Sequence, residues 1–393
     1  MRTVRLSALA LSMFLAGCWD SGTGAKPASS SFAPYTGLVF SDKIVSRSAP
    51  GSFGPIFLST NGLLVKDSTG TTYTFGGYFP YGELNLSTPW IDSEMFIDYE
   101  SGSPTIAFWD LHDPHDAATA GPRKLIDLSQ CPELPPRVFQ AAKDSGFDPI
   151  EDGFILRVGR YAFLITQLYG SQDAISRAGV VLARMGDLSA TGNGCGGFAD
   201  LTASIGAKWI DLHGFQLGLG DTTHVRGKFL AAAPSSSGIF VSYWTQGDSA
   251  TPLLDRDYLA FIDTLGSTRI LDSSTISYYY SMWSFHGKTW TLPYQGTAVY
   301  ALPSPTGAPI QVASASISGA VLPCFDVGGR CVLHSLDKLY LLDSTSFTSK
   351  PLDASGLEGD AITGVVQYRD TVFVSTLSGV FTKPLARFFD PVP

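Results

Sequence analysis

Two stretches of the 393-residue chain gather side chains that bind metals or move protons. Asp110-Leu111-His112-Asp113-Pro114-His115-Asp116 places two imidazoles among three carboxylates. Imidazole nitrogen and carboxylate oxygen are donors that suit Zn²⁺ and other divalent cations. Asp211-Leu212-His213 and Asp221-Thr222-Thr223-His224 flank the Gly-containing stretch 214–220. If that stretch folds back, two more imidazoles and two more carboxylates meet. Asp110, His112, His115, Asp211, His213 and His224 are therefore the metal candidates; no cofactor is predicted, and a divalent cation is the one the sequence leaves open. Metal sites usually draw ligands from more than one segment, so each stretch also reads as a plain polar loop. Tyr278, Tyr280 and Trp283 head an aromatic run that ends at Trp290. Such rings suit a sugar or peptide surface, and they equally suit packing between sheets. No Gly-x-Ser-x-Gly elbow, phosphate loop or His-Glu-x-x-His is present, and no residue is assigned a catalytic role.

The N-terminus carries a different chemistry. Arg2 and Arg5 precede an apolar run from Leu6 to Ala16, too short for a hydrocarbon core of about 20 residues but suited to a secretory signal. Leu15-Ala16-Gly17-Cys18 resembles the lipobox of bacterial lipoproteins. The resemblance implies cleavage before Cys18, diacylation of its thiol and acylation, commonly with palmitate, of the new amine. Two or more acyl chains make a durable membrane anchor. In Gram-negative lipoproteins an Asp directly after the Cys favours the inner membrane; here Trp19 stands there, which implies the outer membrane, facing the periplasm or the surface. Residues 1–17 are thus expected to be a signal peptide, and 18–34 a lipidated Cys with a Gly/Ser/Ala-rich tether.

Composition narrows the remainder. Charged residues make up 16%, the net charge is −9, and 26 Lys+Arg face 35 Asp+Glu, so there is no basic footprint for nucleic acid. With 41 Gly and 24 Pro the chain is too rich in turn formers for a helical bundle, and with 12% aromatics too apolar for disorder. Four cysteines remain after Cys18, and four allow three pairings. Cys324 and Cys331 can face each other across a hairpin turning at Gly328-Gly329, which leaves Cys131 to pair with Cys195. An exported protein favours both bridges.

Residues 35–393 read as one domain of repeated short strands and tight turns. Asn61-Gly62 between apolar runs is a strong hairpin signal. Marking each unit by its second hairpin strand gives Leu63, Thr105, Gly179, Tyr258, Thr297, Leu339 and Val380, with four of six spacings near forty residues. That period predicts an all-β, β-propeller-like ring of about seven small antiparallel blades, in preference to a pair of sandwiches. The two long spacings are expected to hold loop insertions near 129–150 and 191–226. The first has the pattern of a short helix over 136–143. Each insertion carries one distant Cys and is expected to follow the last strand of its blade, so the bridge would clip neighbouring blades over one working face. The last unit lacks a strand, and Leu38–Val45 has the composition to supply it. In length, lipobox and repeats the chain is similar to outer-membrane assembly lipoproteins of the BamB kind. Their recurrent Ala-Leu-Asn/Asp, Gly and Trp blade signature is missing, so that resemblance is architectural only.

The function expected on these grounds is a lipid-anchored envelope module that binds or scaffolds a protein or peptide without catalysis. The alternatives are an envelope glycan hydrolase or lyase working through the His loops, and passive glycan binding through the aromatic run.

Overall fold

A computed structural model describes residues 31–390 apart from 37–44, 60–61, 67–68, 70, 76–89, 101–103, 114, 116, 119–120, 135–149, 170–175, 187–191, 199–204, 213–225, 247–255, 275–278, 294–297, 304–306, 315–320, 336 and 358–360. The chain is a seven-bladed β-propeller. Its strands fall into seven separate sheets, each built on an antiparallel meander. Blades 1 to 6 span residues 45–75, 90–127, 150–211, 226–274, 279–314 and 321–351. Blade 7 takes three strands from 362–384 and its fourth from Ala33–Pro34. All seven sequence markers sit in, or directly before, the third strand of a blade, so the forty-residue period counted blades correctly.

Why these segments form blades is visible in their alternation. Successive side chains of a strand point to opposite faces, so one strand feeds two blade interfaces. Phe57 packs into the blade 7–1 cluster, and its neighbours Ile56 and Leu58 into the blade 1–2 cluster. Phe163 and Ile165 enter the blade 3–4 cluster, while Ala162 and Leu164 enter blade 2–3. The core is thus seven apolar clusters, one between each pair of neighbouring blades. No blade can bury both faces alone, and the ring solves that for all of them.

Closure joins blade 7 to blade 1. Thr363 Oγ1 donates to Val45 O at 2.5 Å, and Ser375 Oγ to Ser48 Oγ at 3.3 Å. The outer edge of blade 7 is covered by Ala33 and Pro34, paired with Thr382 and Phe381. Closure by an N-terminal strand was expected, but from Leu38–Val45. Val45 instead begins the first strand of blade 1, and 37–44 lie outside the described residues. Pro34 suits an outermost strand, where a missing N–H costs no ladder bond. Buried Phe32 also belongs to the ring, inside the segment 18–34 that the sequence assigned to a tether.

Every blade runs in the same sense. Turns between first and second strands, and between third and fourth, emerge at one end of the sheets, here called the base. Turns between second and third strands, and connections to the next blade, emerge at the other end, the crown. Ala33–Pro34 runs antiparallel to the third strand of blade 7, so the chain enters it from the base.

The second insertion differs from expectation. It leaves before, not after, the last strand of its blade: Gly206–Asp211, inside the segment read as a loop, is the fourth strand of blade 3. Within it, Gly192–Asn193 runs parallel to Lys124–Asp127 and adds a fifth strand to blade 2. Cys131 and Cys195 are bonded, with Cα atoms 4.9 Å apart, and join the blade 2–3 core at its outer edge. Glu133 Oε1 accepts the Phe198 N–H at 2.7 Å beside them. The bridge therefore staples an outer edge rather than clipping a face. Cys324 and Cys331 are bonded across the first hairpin of blade 6. Gly328 and Gly329, at φ 59° and 72°, make the two-residue turn that this hairpin needs. The helix expected over 136–143 lies outside the described residues.

Candidate functional site

A notch opens at the base between blades 2 and 3. It has a volume of about 270 Å³ and is lined by Glu94, Met95, His112, Arg157, Gly159, Arg160, Met185 and Gly186. The first turn of blade 2 builds one wall. Asp92 Oδ1 accepts the backbone N–H groups of Glu94 and Met95 at 2.8 and 2.9 Å, which shapes the turn. Asp92 Oδ2 accepts from Trp90 Nε1 at 2.6 Å and from Arg157 Nη1 at 2.7 Å.

Arg157, at the base of the first strand of blade 3, ties the walls together. Its Nη2 donates to Glu94 Oε2 at 2.6 Å and its Nε to Gly159 O at 2.9 Å. Burial works against its charge, but the hydrogen bonds and attraction of Glu94 and Asp92 outweigh it and hold its pKa above the ordinary guanidinium value. The result is a pre-paired, rigid rim with the Glu94 carboxylate half exposed and Arg160 exposed beside it. Met95 and Met185 are buried beneath, and Met185 N–H donates to Arg160 O at 3.0 Å.

His112 enters from the turn between the third and fourth strands of blade 2. Asp110 Oδ1 accepts its backbone N–H at 2.9 Å and lies 2.6 Å from its Nδ1. An Nδ1–H donor to that carboxylate leaves Nε2 as the free ring nitrogen, and the side chain is 64% exposed. His115 turns away. Its N–H is held by Asp113 Oδ1, and its ring meets Tyr73 of blade 1 edge-on at 6.2 Å. The two histidines of the motif thus serve different neighbours. Among the described residues no group of three or more His, Cys, Asp or Glu side chains is placed to hold a metal ion.

Strand polarity separates the two metal candidate loops. Asp110 ends a third strand, at the base, whereas Asp211 ends a fourth strand, at the crown, paired with Gly179. His213 and His224 lie outside the described residues, as do Tyr278 and Cys18. Tyr280 lies in the first strand of blade 5, at a bulge in its pairing. Trp283 is buried, with its ring 6.1 Å from that of Trp290 in the blade 5–6 core, so it faces a neighbouring blade instead of solvent. The sequence reading missed Asp92, Glu94, Arg157 and Arg160. The signal was positional: Asp92-Ser93-Glu94 and Gly159-Arg160 occupy the same turn of consecutive blades.

No family model and no curated protein matches this chain. Solved structures do. One is a catalytically inactive virginiamycin B lyase from Staphylococcus aureus with quinupristin (TM-score 0.50, 9% identity, covering 90% of this chain and 97% of that one). Another is BamB from Moraxella catarrhalis (TM-score 0.35, 12% identity, 89% and 96% covered). A third is the extracellular domain of a hybrid two component system from B. thetaiotaomicron (TM-score 0.46, 14% identity, 90% of this chain covered). The present chain spans only 39% of that domain. These likenesses concern the fold alone. Among the described residues no helix is long and apolar enough to cross a membrane.

Proposed function

We propose that this protein is a lipid-anchored module of the bacterial envelope that binds or scaffolds a protein or peptide partner, held at the outer membrane through acyl chains on Cys18. One observation carries the reading. The N-terminal segment is stitched into the ring as the fourth strand of blade 7, with Phe32 N–H donating to Ser355 O and Tyr35 N–H to Val380 O, both at 2.7 Å. Whatever is attached at Cys18 therefore holds the whole propeller. The thirteen residues between Cys18 and Phe32 reach about 45 Å at full extension. The anchored ring then offers the base notch, with charges of both signs fixed on rigid turns over a methionine floor, to a neighbouring envelope protein. Fixed, pre-paired charges favour recognition because little freedom is lost on docking.

The test is cross-linking and co-purification from membranes of cells carrying wild type, Cys18→Ser, Arg160→Glu or Glu94→Lys. Cys18→Ser should move the protein to the soluble fraction. The two notch variants should remain membrane-bound and lose the partner. A partner retained equally by both would sink the notch as its docking site, and a Cys18 thiol found bare by mass spectrometry would sink the anchor. The glycan-cleaving reading keeps one supporting observation, the exposed Nε2 of His112 oriented by Asp110. It requires that His112→Ala abolish release of envelope sugar fragments while membrane attachment is unchanged.

A further inference from the structure

We infer that the seam between blades 4 and 5 is a pH-sensitive joint, held shut while Asp257 is protonated and loosened when that carboxyl group ionises. The inference stands apart from both the anchor and the notch, since neither uses this seam.

Strand alternation builds the joint. The second and third strands of blade 4, Gly238–Gln246 and Arg256–Asp263, pair so that Ser242 faces Leu259 and Trp244 faces Asp257. All four side chains therefore share one face of the sheet. Leu259 lies in the blade 4–5 cluster, so that face meets blade 5. Blade 5 answers with Met282, Thr291 and Tyr300, which pair in one row across three strands.

Polar burial is poorly satisfied here. Among the described residues six buried side-chain polar atoms have no hydrogen-bond partner, and four of them belong to blade 4: Ser242 Oγ, Tyr243 Oη, Asp257 Oδ1 and Thr268 Oγ1. Buried polar groups are as a rule paired, so this concentration singles the blade out. Asp257 is 2% exposed and Ser242 fully buried, diagonal neighbours on the face turned to blade 5. Ionised, Asp257 would place an unpaired charge in the seam, which costs far more than a neutral carboxyl group.

The surroundings offer that charge little. Asp272 of the fourth strand lies on the same face and is itself acidic, and Ser274 pairs with Asp257. Arg256 alternates to the opposite face, where its charge acts on Tyr258. Lys228 stands on the first strand, across from Trp244 and two strands from Asp257. The row from blade 5 is uncharged. Burial raises the Asp257 pKa from 3.8 to about 6. A raised carboxyl value stabilises the shut joint fully below 3.8, and that contribution is lost as pH rises through about 6. Loosening admits water to Asp257 and Ser242, which gives both the partners they lack when the joint is shut.

Hydrogen exchange on the full-length protein tests this, with wild type and Asp257→Asn compared at about pH 5 and about pH 8. Amides of Gly238–Gln246 and Arg256–Asp263 are followed against those of Met95–Glu100 and Thr105–Asp110 in blade 2. Comparison with the isosteric, uncharged Asn removes the pH dependence of chemical exchange. In blade 4 the ratio of wild-type to variant opening should rise about tenfold from the lower to the higher pH, and in blade 2 it should stay flat. A flat ratio in blade 4 overturns the inference, as does a variant that opens more than wild type at the higher pH, because the carboxylate then has a partner. An equal rise in both blades shows the charge released only by global unfolding and also overturns it. If the Asn variant does not fold, Asp257→Ser carries the same comparison.

Discussion

The outer edges of blade 7 and blade 2 meet the same hazard in opposite ways. An exposed edge strand offers unpaired N–H and C=O groups to any passing chain, and both edges are covered. Blade 2 is covered covalently, by the Gly192–Asn193 strand and the Cys131–Cys195 bond. Blade 7 is covered by a two-residue strand with no covalent link, braced by a buried ion pair. Lys383, fully buried, donates to Asp353 Oδ2 and to Asp353 O, both at 3.0 Å, and its ammonium lies 5.0 Å from the Phe32 ring centre. Burial opposes the Asp353 charge, but Ser355 and Lys383 outweigh it and hold its pKa below the ordinary carboxylate value. The lesson is that one ring uses a pH-independent staple on one side and a charge-dependent latch on the other.

Breaking the latch should have the largest effect. Asp353→Ala leaves Lys383 buried without its counter-ion and should cost about 3–5 kcal/mol in thermal or denaturant unfolding. If the loss is under about 1 kcal/mol, the pair does not hold the closing strand. Next comes the staple. Cys131→Ala with Cys195→Ala removes a bridge closing 64 residues, for which loop entropy predicts about 4 kcal/mol. A reductant should lower the wild-type Tm by clearly more than this variant's Tm, because the variant keeps only the Cys324–Cys331 bridge, worth about 2.5 kcal/mol on the same relation.

Acid should then separate the two edges. His334, on the blade 6 strand that packs toward blade 7, lies 5.7 Å from Phe325, and burial pushes its pKa down from 6.5 to about 4. A depressed histidine favours the neutral form in the fold. Its contribution is intact above the unfolded value and is lost as pH falls from about 6.5 to 4, amounting to about 3 kcal/mol. Asp353 acts in the same direction at lower pH, because its stabilisation disappears once the carboxylate protonates. Hydrogen exchange should show the Phe32 and Tyr35 amides, which flank the Ala33–Pro34 strand, opening before those of the Gly192–Asn193 strand as pH drops toward 4. His334→Phe should blunt that opening, and equal exchange at both edges would erase the proposed contrast.

The legible part of this protein was local. Period-two alternation, Asn61-Gly62 and Gly328-Gly329 mark hairpins within a few residues, and the Cys324–Cys331 bridge spans a single turn. Blade number followed from counting those hairpins. The fourth strand of blade 3 escaped because Gly206-Ala-Lys-Trp-Ile-Asp211 follows an insertion whose Gly and Cys content reads as loop. The notch escaped because Arg157 meets Asp92 and Glu94 across 65 and 63 residues, with no short motif to join them.

Composition and spacing alone determined an all-β ring of seven units, since each unit's turns and alternating faces are encoded within about forty residues. Only the tertiary structure decided that Ala33–Pro34 completes blade 7, that His112 and His115 part company, and that Asp110 and Asp211 stand at opposite ends. Those outcomes depend on strand polarity and on contacts between segments as much as 349 residues apart, such as Ala33 beside Thr382. Side-chain type and local spacing carry no record of such geometry until the ring closes.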